Sequence, residues 1–214
     1  MEFPQFMPVE RIAERASEFR KLYVIPSNQI PLQIEHVIEN VLRIRIDPRE
    51  NLSVLLRKKG LAIDAFLTAD RSTIIVDYEQ FISDQGENRL RFSLAHELGH
   101  WFLHQKEYEA ISYKSEQDFI KEQLSIKPDM RKRFEIQANE FAAQLLVPSD
   151  LLMAMIEESS GQIRSFVRNN GKGQIYFLRS DLADDFAVRF GVSEEVVRNR
   201  IQNEGFIEHM IRDL

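Results

Sequence analysis

Apolar residues recur at intervals of three and four from Pro8 to Tyr23, where Val9, Ile12, Ala13, Ala16 and Phe19 would share one helical face. A second helix is expected from Pro31 to Leu42, with proline in its first turn and Ile34, Val37, Ile38 and Val41 as the buried stripe. The pattern then shortens. Ser53 to Arg57, Leu61 to Thr68 and Thr73 to Asp77 read as strands, with Ala69 to Ser72 as a hairpin turn between the last two. A small antiparallel sheet is expected, and Thr73 to Asp77 as an edge on which an extended peptide could pair. Helical spacing returns from Arg89 to His104 through Phe92, Ala95, Gly99 and Phe102, whereas Gln105 to Lys127 lacks a clear period and reads as a loop or lid. The next helix opens at Pro128 and Asp129, buries Phe134, Ala138, Phe141, Ala142 and Leu145, and ends before Pro148. A short helix capped by Ser149 should follow, then a connector from Ser160 to Gly173. Asp181 to Phe190 and Ser193 to Gln202 read as two helices joined at Gly191 and Val192.

Composition narrows the possible chemistry. A chain of 214 residues, 43% hydrophobic and 29% charged, can bury a core for one domain plus a small appendage. Cysteine is absent, which excludes disulfides, thiolate zinc sites and cysteine nucleophiles, so a bound metal must take histidine and carboxylate ligands. The first residues show no basic stretch followed by an apolar run, and no window approaches the ~20 apolar residues of a membrane span. A cytoplasmic protein without membrane association is expected. A net charge of −6 works against attraction to phosphate backbones, so nucleic acid is a weak candidate partner.

The chemistry concentrates in His96-Glu97-Leu98-Gly99-His100. Residues four apart on a helix share a face, so both imidazoles can reach one ion. Zinc at catalytic sites takes three protein ligands at about 2.0 to 2.2 Å and leaves one position for a water. The metal lowers that water's pKa toward ~7 and polarises the scissile carbonyl, and Glu97, beside a ligand, can accept the proton and pass it to the leaving amine. Gly99 costs about 1 kcal/mol relative to Ala inside a helix, which calls for a neighbour in close approach. A third ligand must come from elsewhere, and the helix from Asp129 to Val147 offers Glu135, Asn139 and Glu140. His104 continues the histidine face one turn on, and reads as a rim or surface residue. His36 and His209 have no companion motif.

The blocks Arg91-Phe-Ser-Leu-Ala-His-Glu-Leu-Gly-His100 and Glu135-Ile-Gln-Ala-Asn-Glu-Phe-Ala-Ala-Gln-Leu-Leu-Val-Pro148 closely resemble the ImmA/IrrE family of zinc metallopeptidases, over residues 5 to about 155. That resemblance implies an α+β, gluzincin-like metallopeptidase domain with a small antiparallel sheet, and one zinc ion held by His96, His100 and Glu135, with manganese as a possible substitute in the cell. It also implies Glu97 as the catalytic base and Asn139 as the residue that orients a ligand imidazole. The helical phase favours Glu135 over Glu140, because Glu135 has Asn139 four residues on. The implied substrate is a helix-turn-helix transcriptional repressor, cut to release stress-response or mobile-element genes. An oxyanion donor could be Tyr108, Tyr113, Tyr176 or Lys172, with nothing in the sequence to choose among them.

Residues 1–175 are expected to form the peptidase domain and 176–214 a small helical tail resembling a helix-turn-helix. Residues 179–214 carry five Arg and no Lys against eight Asp and Glu, a local charge of −3 that opposes phosphate. Packing or substrate docking is therefore the favoured role for the tail. The competing readings are a regulatory protein that binds a transcription factor without cutting it, and a DNA-binding regulator acting through the tail. An intact Glu97 counts against the first and the acidic tail against the second.

Overall fold

The computed structural model describes residues 5–61, 63–83, 86–110, 113 and 116–212. Its architecture is mostly helical around a small mixed sheet, an α+β arrangement. The amphipathic helix α1 (Val9–Tyr23) buries Ile12, Ala16 and Phe19 as its spacing requires. The second helix is shorter than its periodicity suggests. It comprises α2 (Ile34–His36) and a π-helical turn at Val37–Val41.

Three strands follow, β1 (Arg45–Arg49), β2 (Ala65–Leu67) and β3 (Thr73–Asp77), in the spatial order β1-β3-β2. β1 runs parallel to β3 and β2 antiparallel to it, so the sheet is mixed and the expectation of a purely antiparallel sheet is corrected. β3 is the central strand with all five residues buried, which rules out strand addition along Thr73–Asp77. The turn between β2 and β3 does fall at residues 69–72, where Asp70 accepts from the Thr68 hydroxyl and from the Ser72 amide. The segment expected as a strand near Ser53 is instead the helix α3 (Leu52–Lys58), which buries Leu52 and Leu56 one turn apart.

After the short helix α4 (Tyr78–Ile82), the chain enters α5 (Glu87–Leu103), which carries the histidine pentad. The segment expected as a loop or lid holds two helices, α6 (Gln105–Glu109) and α7 (Glu116–Ser125). Phe119 of α7 stacks on Phe66 of β2 with ring centroids 4.0 Å apart, at the centre of a small second core with Leu52, Leu56 and Ile75. The helix α8 (Pro128–Leu146) begins with proline in its first turn and lies against α5 so tightly that a Cβ at Gly99 would sit 3.0 Å from Ala138 Cα and 3.1 Å from its carbonyl oxygen. The close neighbour expected at Gly99 is therefore α8.

The remainder is helical: α9 (Ser149–Glu158), α10 (Ser160–Asn170), α11 (Ile175–Phe190), α12 (Glu194–Glu204) and α13 (Phe206–Met210). Ser160 to Gly173 is thus mainly helix, with Ile163 and Val167 buried at four-residue spacing. Ser149 does not cap α9, since Pro148 holds the cap position. Its hydroxyl bonds Glu204 of α12 at 2.8 Å instead. Ser193 does cap α12, accepting from the Val196 amide, and Gly191 makes the turn at φ 64°. One apolar core runs through Phe19, Leu94, Phe141, Leu182, Phe186 and Val197, from the first helix into the last ones.

Candidate metal centre

α5 supplies His96, Glu97 and His100, and α8 supplies Glu135 and Asn139 across the tight seam at Gly99. The four-residue spacing puts both imidazoles on the side of α5 that faces α8, with Nε2 of His96 and Nε2 of His100 3.0 Å apart. Glu135 reaches back from α8, its Oε2 3.2 Å from His96 Nε2 and its Oε1 3.9 Å from His100 Nε2. The three candidate ligand atoms all lie within 4.8 Å of one another. Asn139 Oδ1 lies 2.8 Å from His96 Nδ1, a distance at which that ring nitrogen donates, and Nε2 is the atom turned toward the centre. Two nitrogens each about 2.05 Å from a tetrahedral ion would be about 3.3 Å apart, so the observed spacing fits a shared cation.

Burial opposes a charge on His96, yet the hydrogen bond it donates to Glu135 and the charge of Glu97 outweigh it and carry the pKa up to about 9. His100 is held well below the usual imidazole value, first by burial and then by the neighbouring His96. Glu97 is buried, and desolvation lifts its carboxyl to about 8 although the His96 charge works the other way. Its Oε2 accepts the Leu67 amide of β2 at 2.8 Å, which fixes the carboxylate beside the histidines.

The five residues line a cavity of about 240 Å³ whose walls include Phe66, Phe92, Phe119 and Phe134. An aromatic wall around a polar floor lowers the local dielectric and strengthens each charge interaction inside. Residues 81–202 match the family model of the IrrE N-terminal-like domain, a peptidase family. The chain belongs to that family. No curated protein matches it significantly. Membership suggests a metallopeptidase-like activity for this IrrE-like domain, and a metal-dependent one, in keeping with the His96, His100 and Glu135 cluster.

Glu140, the competing third ligand, faces away and accepts from Gln144 at 2.9 Å. Tyr108 and Tyr113 line the cavity, and the Tyr113 hydroxyl donates to the Leu67 carbonyl. Tyr176 is exposed on α11, and Lys172 bonds the Arg212 carbonyl, so neither meets the site. His36 and His209 are exposed.

His104 corrects its expectation: it is 1% exposed, not a rim residue, with Nδ1 3.0 Å from His100 Nδ1 and Nε2 2.9 Å from Gln137 Oε1. The repeat of histidine at 96, 100 and 104 was the available signal. Gln137, between Glu135 and Asn139 on α8, carried none. Among the described residues, no helix is long and apolar enough to cross a membrane.

Proposed function

We propose that the chain is a zinc-dependent endopeptidase that makes limited cuts in a protein substrate, a helix-turn-helix transcriptional repressor, and so releases the genes it silences. The observation that carries this reading is the convergence of His96 Nε2, His100 Nε2 and the Glu135 carboxylate beside buried Glu97 in one cavity. Imidazole and carboxylate donors without thiolate suit zinc, which when bound polarises a carbonyl and acidifies water. Glu97 does the proton work. As a carboxylate beside the ligand His96, it would accept a proton from the attacking water and return it to the leaving amine. The Leu67 amide keeps that carboxylate aimed throughout. Asn139 and Glu135 hold His96 from two sides, and aromatic rings wall the cavity beside the reacting atoms.

The tail supports packing rather than nucleic-acid binding. Arg200, which would lie on a recognition helix, is 2% exposed and spends its guanidinium on the Val147 carbonyl and on Glu204. The test incubates wild type and Glu97→Gln with helix-turn-helix repressors from the same genome. Wild type should release a discrete fragment, the variant should do so about 10²- to 10⁴-fold more slowly, and both should hold one equivalent of zinc. A fragment formed equally by both proteins, or by neither, defeats the proposal, and zinc binding without cleavage would favour a regulator that binds its partner intact.

A further inference from the structure

Behind His100 lies a line of contacts in which every link has a direction. Gln137 Nε2 donates to the backbone carbonyl of Gln5, 2.9 Å away, and this fixes the amide so that Oε1 faces His104. An amide oxygen only accepts, so His104 Nε2, 2.9 Å from it, must carry the hydrogen. An imidazole 1% exposed, set against the Gln137 amide and the Phe134 ring, is costly to charge and keeps one ring hydrogen; with that on Nε2, His104 presents a lone pair at Nδ1, 3.0 Å from Nδ1 of His100. Two lone pairs cannot face each other at that distance, so His100 Nδ1 carries a hydrogen and its Nε2 does not. The His104 ring is held for this task by Phe134 of α8, edge to face at 4.8 Å.

We infer that His104 and Gln137 are positioning residues that lock His100 in its Nδ1-protonated tautomer and so keep its Nε2 lone pair aimed into the metal centre. Ligand histidines commonly donate straight to a carboxylate or a carbonyl. Here a second imidazole intervenes and transfers the constraint from α5 to α8 and then to Gln5, ahead of α1. His96, by contrast, meets a side-chain amide directly, through Asn139 at its Nδ1. The inference rests on the metal-centre reading above for its consequence, though the tautomers themselves do not depend on a bound ion.

Long-range ¹H–¹⁵N correlation spectra of histidine-labelled wild type, with zinc and after chelation, test the relay directly. Both states should show His104 protonated at Nε2 and His100 at Nδ1, and a His104 hydrogen on Nδ1 in either state overturns the proposal. Zinc affinity, from competition with a chelator, gives a second readout. Gln137→Leu should weaken zinc binding by about 10- to 100-fold. Gln137→Glu should restore it to near wild type, because a carboxylate accepts the same hydrogen. Both variants lose the bond to Gln5, so a purely structural effect would weaken both alike and count against the relay. Unchanged affinity in Gln137→Leu would also overturn it. A wild type that binds no zinc would remove the metal-centre reading, while its spectra would still decide the tautomers.

Discussion

Glu135 is the residue whose two oxygens approach both imidazoles, and it comes from a different helix from either of them. Replacing it with Gln keeps the shape and removes the charge, so Glu135→Gln should lower zinc affinity by at least tenfold in a chelator competition, and unchanged affinity would exclude it as a ligand. His104 sets a pH dependence of its own. Burial chiefly holds its pKa down to about 4, against 6.5 for the free side chain, although Gln137 pulls the other way. Above pH 6.5 the folded and unfolded chains both carry neutral His104. Below it only the unfolded chain takes up the proton, so stability falls as the pH drops from 6.5 to 4, by on the order of 3 kcal/mol in all. Glu97 and His96, whose pKa values are raised, shift stability in the opposite sense, toward higher stability as the pH falls. The contribution of His104 is therefore read as the difference between wild type and His104→Gln, in urea denaturation of zinc-stripped protein followed by Trp101 fluorescence. Identical pH slopes for the two proteins would contradict a neutral, buried His104.

The seam between α5 and α8 holds the candidate ligands at their spacing, and Gly99 is what lets the helices meet. The atoms nearest an added Cβ there are backbone atoms of Ala138, which cannot turn aside as a flexible side chain would. Gly99→Ala gains up to about 1 kcal/mol of helix propensity but overpacks a contact, at about 1–3 kcal/mol. The net expectation is a loss of about 1 kcal/mol in urea denaturation, accompanied by weaker zinc binding as the helices part; a stabilised variant would show that the seam can relax. This contact was legible in the sequence, because a glycine inside a strongly periodic helix demands a reason. The gathering of Glu135 and Asn139 opposite the pentad was legible too, through four-residue spacing and the resemblance. The sheet was less so. β1 contains Pro48 and three charged side chains, and such a segment forms a strand only because it sits at an edge where a missing amide does little harm. Thr73–Asp77 carries an unbroken Thr-Ile-Ile-Val run, the mark of a strand covered on both faces, which argues for the sheet interior. In α3, Leu52 and Leu56 held a helical signal that the intervening Val54 and Leu55 concealed. The His104–Gln137 contact could not be read at all, since it depends on the angle at which two distant helices cross.

Over the whole molecule, the end of α8 ties the candidate site to both ends of the chain. The last carbonyls of a helix have no partner within it, and cations suit that end of the helix dipole. Arg20 of α1 donates to the Leu145 carbonyl at 2.8 Å, and Arg200 of α12 to the Val147 carbonyl at 3.1 Å, both from buried positions. Arg200 is held in turn by Glu204 at 2.7 Å and by the Ser149 hydroxyl at 2.9 Å. Asn88 near the start of α5 adds a bond to the Val192 carbonyl, so the tail grips both site-bearing helices. A separately folded tail beyond residue 175 and a tail that completes the core make different predictions. Arg200→Leu leaves the Val147 carbonyl without this donor and takes the cation from Glu204, a loss of about 1–3 kcal/mol. If the tail completes the core, urea should unfold wild type in one transition, Arg200→Leu should move that whole transition to lower urea, and a chain ending at residue 175 should show no cooperative transition. If the tail folds alone, wild type should unfold in two steps and Arg200→Leu should move only one of them. The apolar cluster shared by Phe19, Phe141, Phe186 and Val197 favours the single transition, because no cut at residue 175 leaves either part with its hydrophobic surface covered.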